Sequence, residues 1–535
     1  MREFNVTGIC VPDMHYMVDI SEKIEQIFEL VETRKYFTIN RGRQYGKTTT
    51  IGRLRKRLPD DYICASISFQ YSDDEMFANE QGFSQGLLRK IHRALSVANR
   101  EEAGLWLDDS VTSFEKLDYF ITKRCTGKKV VLIIDEADEA SNNSLFVRFL
   151  KMLRDKFLFR NAGDDYTFHS VILAGVYDVR NLKQKMILAG NYTPSAGESA
   201  MNSPWNIAVD FDIDMSFSAR EIETMLVEYE KDYHTGMDIS EIAREIRFYT
   251  NGYPYLVSRI CLLIENKLNR NWTPDGIQKA IKLILNEEST LFDDLIKKIV
   301  ENGELSDMMF DLTVGKIKYA YNVDDPVMKL GLMFGFLARG TEGLQIHNRI
   351  FEIRITNYFI TQKTRNWRTN EIPQNAANEI INDNVFDMEL CLDKFKRNYA
   401  EIYTDENLKF LERECKLIFL TYLKPMINGL GFYHFESETR DYGKIDLVID
   451  FLKQQFILEM KLWYGNSRHE EAYRQLADYL TSKNVNCGYL LTFDFRREGD
   501  SACYENKWID CEGKRIYDVV VQVGGRSKTR KKIQK

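Results

Sequence analysis

Proline is scarce in this chain, 9 residues in 535, and glycine supplies 30. Collagen-like and low-complexity architectures, which are built on those two residues, are therefore excluded. No stretch approaches the ~18–20 consecutive apolar residues that span a bilayer, and the longest apolar run, near 330–338, is far too short. The opening MREFNVTGICVPDMHYMVD has no apolar core behind a basic end and does not read as a secretory signal. Nine cysteines, Cys10, Cys64, Cys125, Cys261, Cys391, Cys415, Cys487, Cys503 and Cys511, are scattered and odd in number, and none forms a C-x-x-C pair. That pattern argues against a zinc site and reads as reduced thiols in a cytoplasmic protein, most of them core filler, while the lack of an apolar span predicts no membrane partner. A strong excess of one charge is missing as well: 73 Lys plus Arg face 80 Asp plus Glu, a net of −7. The sum is unevenly spread, because residues 401–535 hold 22 basic and 21 acidic residues while residues 1–400 carry −8. Nucleic-acid binding depends on local fields, so the mild overall acidity does not exclude it.

With 44% hydrophobic residues the chain can fill sizeable cores, and its length predicts about three or four domains. Residues 1–215 alternate β-rich runs at 36–39, 63–69, 130–134, 171–176 and 207–211 with helical stretches. Strands separated by helices predict an α/β fold with a parallel sheet covered on both faces. From Ser218 a good N-cap opens a helical series to about residue 312, read as a lid over 216–313. Residues 325–356 place an apolar helix before a Gly-bearing turn and a short strand, a pattern suited to a winged helix within 314–384. The polar stretch 361–384 is the best candidate boundary. A second α/β domain is expected at 385–524, with a helix at 408–427, strands at 447–451 and 455–460, a helix at 469–482 and a strand at 487–493. Residues 525–535 form a basic tail.

The strand at 36–39 runs into NRGRQYGKTTT, with a helix beginning at about Lys47. A glycine-bearing loop between strand and helix turns backbone N–H groups inward, and the helix N-terminus adds partial positive charge, which together cradle phosphates. Gly42, Gln44, Tyr45, Gly46 and Thr49 would line that cradle. Lys47 would reach the β and γ phosphates of ATP, and Thr48 would bind Mg²⁺. The full loop pattern wants glycine at position 41, where this chain has Arg41. A bare G-K-[ST] arises by chance in roughly a third of chains this long, so the loop needs a partner. KKVVLIIDEADEA, residues 128–140, supplies one: five apolar residues deliver Asp135 and Glu136 to the C-terminal edge of a strand, where ligands of parallel sheets sit. Asp135 would hold Mg²⁺ through water and Glu136 would polarise the attacking water. A core strand followed by a solvated acidic helix start stays open as the alternative. Tyr177, Asp178 and Arg180 follow a later strand and read equally as phosphate sensors or as a surface loop. TNGYPYLVSR, residues 250–259, is either a turn that carries the lid toward the nucleotide or an ordinary Gly-Pro turn.

HYMVDISEKI, YFTINRGRQYGKTTT, ASISF and the IIDEAD strand resemble the AAA-like ATPase family of bacterial and archaeal proteins that carry a C-terminal PD-(D/E)xK nuclease-like domain. The resemblance covers nearly the whole chain, most firmly 15–140 and 410–495, and the family's loop shares the missing first glycine. The winged-helix-like NRIFE, residues 348–352, resembles the segment C-terminal to the ATPase in that group.

Five E-x-K triplets occur, beginning at Glu265, Glu414, Glu459, Glu505 and Glu512, so position has to discriminate. Only Glu459-Met460-Lys461 ends an apolar strand that follows another strand opened by an acid, Asp446. Two adjacent strands can bring Asp446 and Glu459 to one face, where carboxylates suit Mg²⁺, with the Met460 carbonyl as a further ligand. Lys461 shares the face of Glu459 and would activate water or steady phosphate charge during in-line attack on a phosphodiester. The arrangement resembles the PD-(D/E)xK nuclease core, with Ile445 in place of the proline. That resemblance implies an acid on the preceding helix, Glu414 with Glu412 as alternate, as a further metal ligand. It also implies a helix residue after the triplet, where Gln475 and Tyr479 stand at i, i+4. A hairpin with an exposed Glu459–Lys461 salt bridge, and a nuclease fold that binds without cutting, remain alternatives. Arg440, Lys444, Arg468, His469 and Arg474 could meet backbone phosphates. The tail, with six basic residues from Arg526 to Lys535, is either a solvated end or a sequence-blind aid to DNA binding.

The expectation is an ATP-regulated, Mg²⁺-dependent nuclease acting on nucleic acid, DNA in the first instance, with an ATPase domain able to form a homo-oligomer. By analogy of architecture, such a fusion also fits defence against foreign DNA. Rival expectations are an ATP-dependent binding switch and an ATPase with a structural C-terminal module.

Overall fold

The computed structural model describes residues 2–70, 74–137, 140, 143–175, 205–314, 317–341, 343–366, 379–402, 412–427, 431–434, 446–452, 454–496 and 504–523. The chain divides into two compact units, Met1–Leu291 with Asn322–Ala338, and Phe292–Tyr321 with Arg339–Lys535.

The first unit is built on a parallel four-stranded sheet of β1 (Tyr36–Asn40), β2 (Tyr62–Ser68), β3 (Lys129–Asp135) and β4 (Ser170–Gly175), in the order β1-β4-β3-β2. Strand β4 thus lies between the strand that feeds the glycine loop and the strand that carries the acids. Val130, Val131, Leu132, Ile133 and Ile134 are all at 0% exposure, so β3 is covered on both faces, as its unbroken apolar run predicts. One face packs the helices Glu80–Val97, Phe114–Cys125 and Ser144–Ala162 through Phe83, Leu117, Phe149 and Leu153.

The strand expected at 207–211 is reduced to a single parallel bridge between Val209 and Phe37, with the Val209 N–H donating to the Tyr36 carbonyl at 2.9 Å. Beyond that bridge the chain turns to Arg41, whose guanidinium donates to the Phe211 carbonyl at 3.5 Å and the Ile213 carbonyl at 2.9 Å. The helical series then follows as Ala219–Tyr233, Ile239–Thr250, Pro254–Lys267 and Pro274–Asn286. Ser218 caps the first with a full capping box, its hydroxyl accepting from the Glu221 N–H at 3.2 Å while Glu221 accepts from the Ser218 N–H at 2.7 Å.

Between residues 326 and 366 the chain forms the helix Pro326–Met333, the two-stranded pair β5 (Leu337–Gly340) and β6 (Gly343–Ile346), and the helix Arg349–Asn366. In the second unit a short hairpin, β7 (Ile381–Asn382) and β8 (Val385–Phe386), precedes the helices Met388–Ile402 and Glu412–Ile427. A six-stranded mixed sheet completes the unit: β9 (Gly431–His434), β10 (Leu447–Phe451), β11 (Gln454–Leu462), β12 (Cys487–Asp494), β13 (Lys507–Cys511) and β14 (Lys514–Gln522), in the order β13-β14-β12-β11-β10-β9. Strands β11, β12 and β14 run parallel, and the helix Asn466–Ser482 makes the crossover from β11 to β12. Alternate residues feed two cores: Leu447, Ile449, Leu458 and Met460 pack with the helix Glu412–Ile427, and Val448, Ile457 and Leu490 pack with Leu476 and Leu480.

The eight cysteines among the described residues are free thiols, and Cys125, Cys261, Cys391 and Cys415 are buried. Among the described residues no helix is long and apolar enough to cross a membrane.

Candidate nucleotide loop and acidic site

Strand β1 ends at Asn40 and the helix Lys47–Arg57 starts where the sequence predicts it, so residues 41–46 form the loop. Gly46 is the N-cap at φ 77°, a conformation that glycine adopts at no steric cost. Gly42 is needed for another reason: a Cβ there would stand 2.3 Å from the Phe334 carbonyl oxygen. Lys47 Nζ donates to the carbonyls of Arg41 and Gly42, each at 2.9 Å, which holds its ammonium group over the loop. Thr48 Oγ1 donates to Asp135 Oδ2 at 3.1 Å, so the first turn of the helix and the end of β3 meet. Glu136 stands at φ 53°, and its Oε2 accepts from Ser68 Oγ at 3.0 Å.

The other loop residues are placed differently. Arg41 spans the loop and the 211–213 segment and lies 5.4 Å from the Phe211 ring; burial lowers its pKa. The Tyr45 ring is buried, its hydroxyl 2.7 Å from Ser216 Oγ, and burial raises its pKa. It packs edge-on to Tyr253, with ring centres 4.7 Å apart, and the Tyr253 hydroxyl donates to the Arg43 carbonyl. The segment 250–259 therefore does reach the loop. Gln44 points to Thr290 Oγ1 at 3.4 Å, and Thr49 Oγ1 accepts from the Cys10 N–H at 3.2 Å. Tyr177, Asp178 and Arg180 lie outside the described residues.

In the second unit the β10–β11 register pairs Leu447 with Leu458, which sets Asp446 opposite Glu459. Both acids are buried, at 8% and 2% exposure. The Asp446 N–H donates to Glu459 Oε2 at 3.1 Å, the Met460 N–H donates to Asp446 Oδ2 at 2.9 Å, and Lys461 Nζ stands 2.5 Å from Glu459 Oε1. Burial and the neighbouring Asp446 push the Glu459 carboxyl up to about 7, against the pull of Lys461 and Lys416. Lys416, on the helix Glu412–Ile427, donates to Asp446 Oδ1 from a side chain only 3% exposed. The sequence reading missed it, although a lysine inside the apolar run CKLIFL is a visible mark of a buried charge that needs a partner. Glu414 and Glu412 belong to the same helix, and their side chains are not among those described.

Lys461 and Gln475 line one cleft of about 170 Å³ together with Trp463, Tyr464, Arg468 and His469. His469 is fixed by Asp518 Oδ2 at 3.2 Å and Thr492 Oγ1 at 3.4 Å, and the Tyr473 hydroxyl donates to the same Asp518 oxygen at 2.8 Å. Arg468 lies 5.1 Å from the exposed Tyr464 ring. Tyr479 does not join them: it is 2% exposed and packs in the core between helix and sheet, because the helix turns that side of its second half onto β12 and β14. Arg440, Lys444 and the basic tail lie outside the described residues. Among the described residues no group of three or more His, Cys, Asp or Glu stands ready to hold a metal ion. The hard oxygens of Asp446 and Glu459 fit Mg²⁺ in kind, and Thr48 with Asp135 fits it at the nucleotide loop.

No family model matches the chain. An uncharacterized WD repeat-containing protein of Synechocystis sp. is 21% identical over 374 residues, which cover 65% of this chain and 29% of that protein. The chain thus spans less than a third of that relative's length. Among solved structures, the Walker-type ATPase of Pyrococcus abyssi is similar over 66% of this chain and 99% of its own, with TM-score 0.45 and 10% identity. The Aeropyrum pernix ORC2 protein in its ADPNP-ADP complexes covers 68% of this chain and 98% of its own at TM-score 0.35 and 13% identity. The ORC1 protein of that organism, in complex with DNA, covers 65% and 94% at TM-score 0.28 and 10% identity.

Proposed function

We propose that this chain binds and hydrolyses ATP at the β1 loop and uses that cycle to control a Mg²⁺-dependent nuclease-like domain that acts on nucleic acid, DNA in the first instance. The observation that carries the nucleotide half is the Thr48–Asp135 hydrogen bond, which joins the helix of the glycine loop to the acidic end of β3 across the intervening β4. With Lys47 held over the loop, that pairing supports reading Thr48 and Asp135 as the hydroxyl and carboxylate that would hold Mg²⁺ beside a phosphate cradle. Glu136 is the residue to orient the attacking water. Its Oε2 accepts from Ser68 Oγ at 3.0 Å, which orients the carboxylate, and a carboxylate has further lone pairs with which to accept from water.

The nuclease half is supported by the placement of Asp446, Glu459 and Lys461 at one point of a mixed sheet with Gln475 in the adjoining cleft. Asp446 and Glu459 would hold Mg²⁺, which when bound supplies charge stabilisation to a phosphodiester under attack. Lys461 orients water or steadies phosphate charge, Arg468 offers a cation to the backbone, and Gln475 can hydrogen-bond the strand. In this reading residues 1–215 form the ATPase core, 216–313 its lid, 314–384 a winged-helix-like segment and linker, 385–524 the nuclease-like domain and 525–535 a basic tail. The ATPase core is the surface through which a homo-oligomer would form, and a role in defence against foreign DNA fits the combination. The second reading is an ATP-dependent switch whose nuclease-like domain binds nucleic acid or protein without cutting. What favours it is the Lys416–Asp446 pair, which already satisfies one carboxylate oxygen.

The two readings part in a cleavage assay with linear and circular DNA and RNA, with and without Mg²⁺. The first expects Mg²⁺-dependent cleavage that Lys461→Ala abolishes. Equal cleavage by Lys461→Ala, or none by the wild type under any condition, contradicts it. Glu136→Gln should trap bound ATP if hydrolysis drives the cycle, and should behave as wild type if occupancy alone does.

A further inference from the structure

We propose that Lys416 is a resident counter-ion that holds the place of a divalent cation at the Asp446–Glu459 pair, so that metal binding has to displace its ammonium group. The proposal rests on the reading of this pair as metal-binding. All four carboxylate oxygens of the pair already have donors: Lys416 on Asp446 Oδ1, the Met460 N–H on Asp446 Oδ2 at 2.9 Å, Lys461 at 2.5 Å from Glu459 Oε1, and the Asp446 N–H on Glu459 Oε2 at 3.1 Å. Two ammonium groups thus face two carboxyl groups at this point of the sheet.

The two lysines are not equivalent. Lys461 has a side chain 35% exposed at the mouth of the cleft, where its charge can move into water at little cost. The Lys416 side chain is 3% exposed, and it leaves a helix between the buried residues Cys415 and Leu417. A buried ammonium group without its carboxylate is strongly disfavoured, so Lys416 and Asp446 hold each other in place. A hard divalent cation needs the same carboxylate oxygens. Lys416 and the cation therefore compete for Asp446, and the cation's apparent affinity is lowered by the cost of moving the lysine. Removing the lysine charge reverses both effects: the metal binds more tightly, and the protein without metal is left with a buried, unbalanced Asp446.

The test uses the full chain without nucleotide and Mn²⁺ as the probe, with binding read by calorimetry and thermal unfolding read in chelator and in Mn²⁺. Asp446→Asn provides the background for every other cation site. Lys416→Met is expected to bind Mn²⁺ at least tenfold more tightly than wild type, to unfold at a lower temperature in chelator, and to recover in Mn²⁺. Lys416→Met combined with Asp446→Asn should lose the Mn²⁺ response while keeping its fold. If Lys416→Met does not fold in chelator, Lys416→Gln, which keeps a donor without the charge, carries the same expectation. Unchanged or weaker Mn²⁺ binding by these variants overturns the proposal. Metal-dependent cleavage by wild type with unchanged Mn²⁺ affinity in the variants would refute the role of Lys416 alone. An Asp446-dependent gain in Mn²⁺ binding with no cleavage by any form would support Lys416 and refute the nuclease.

Discussion

At the β1 loop Lys47 rests on two backbone carbonyls, whereas at the end of β11 Asp446 and Glu459 already accept from the ammonium groups of Lys416 and Lys461. In the first unit the loop is fixed by contacts that do not involve Lys47: Gly42 passing under the Phe334 carbonyl, Tyr45 against Tyr253, and Arg41 tied to the 211–213 carbonyls. In the second unit the candidate site residues Asp446 and Glu459 are themselves buried and bonded to Lys416 and Lys461. Substitutions at the loop should therefore cost ligand more than fold, and substitutions at the acidic site should cost both.

The largest effect expected is on the ligand side. Lys47→Ala should weaken ATP binding by roughly 100-fold or more, since it removes the ammonium group held over the loop, while leaving unfolding without nucleotide nearly unchanged. Calorimetric titration with ATP and a melting curve check the two halves together. Next comes Asp446→Ala, which removes the carboxylate from the buried Lys416–Asp446 pair and should cost the second unit about 3 kcal/mol in a denaturant titration. A loss as small as that of an exposed pair would break the contrast between the sites.

Acid should act on the first unit through a residue unconnected with either site. His169 is 8% exposed, and burial, then Arg34, Arg160 and Lys129, lower its pKa to about 4. The native state then binds fewer protons than the unfolded chain between the ordinary histidine value and about 4. Stability is kept above the ordinary value and lost as pH falls through that window, by on the order of 2 kcal/mol. Replacing His169 by Gln should flatten that part of the pH profile. The smallest effect is expected at Thr48→Ala: the 3.1 Å bond to Asp135 is exposed, so stability should fall by no more than about 1 kcal/mol, while Mg²⁺–ATP binding weakens.

Much of the first unit was legible because its information is local. The apolar run of β3, the start of the helix at Lys47 and the Ser218 cap each follow from a few neighbouring residues. The segment 207–211 misled because its composition is strand-like, yet only Val209 bridges to β1 and the Phe211 carbonyl faces Arg41, distant in sequence. In the second unit, the place of Asp446 against Glu459 follows from strand alternation, and the period of two held. Lys416 was missed because a pattern search for acids passes over a lysine whose meaning is its burial. The i, i+4 spacing that pairs Tyr479 with Gln475 gives a helix face but not where the helix meets the sheet, and Tyr479 is buried. The β13–β14 hairpin also escaped, although Glu512 and Gly513, at φ 52° and 77°, form the tight two-residue loop between Cys511 and Lys514. Glutamate is a weak form of that turn signal.

The measurement that bears most directly on two linked sites is DNA cleavage at fixed Mg²⁺, with and without ATP, by wild type and Lys47→Ala side by side. The account predicts that ATP changes the rate for wild type and leaves Lys47→Ala unaltered. Cleavage that responds equally to ATP in both proteins would contradict it.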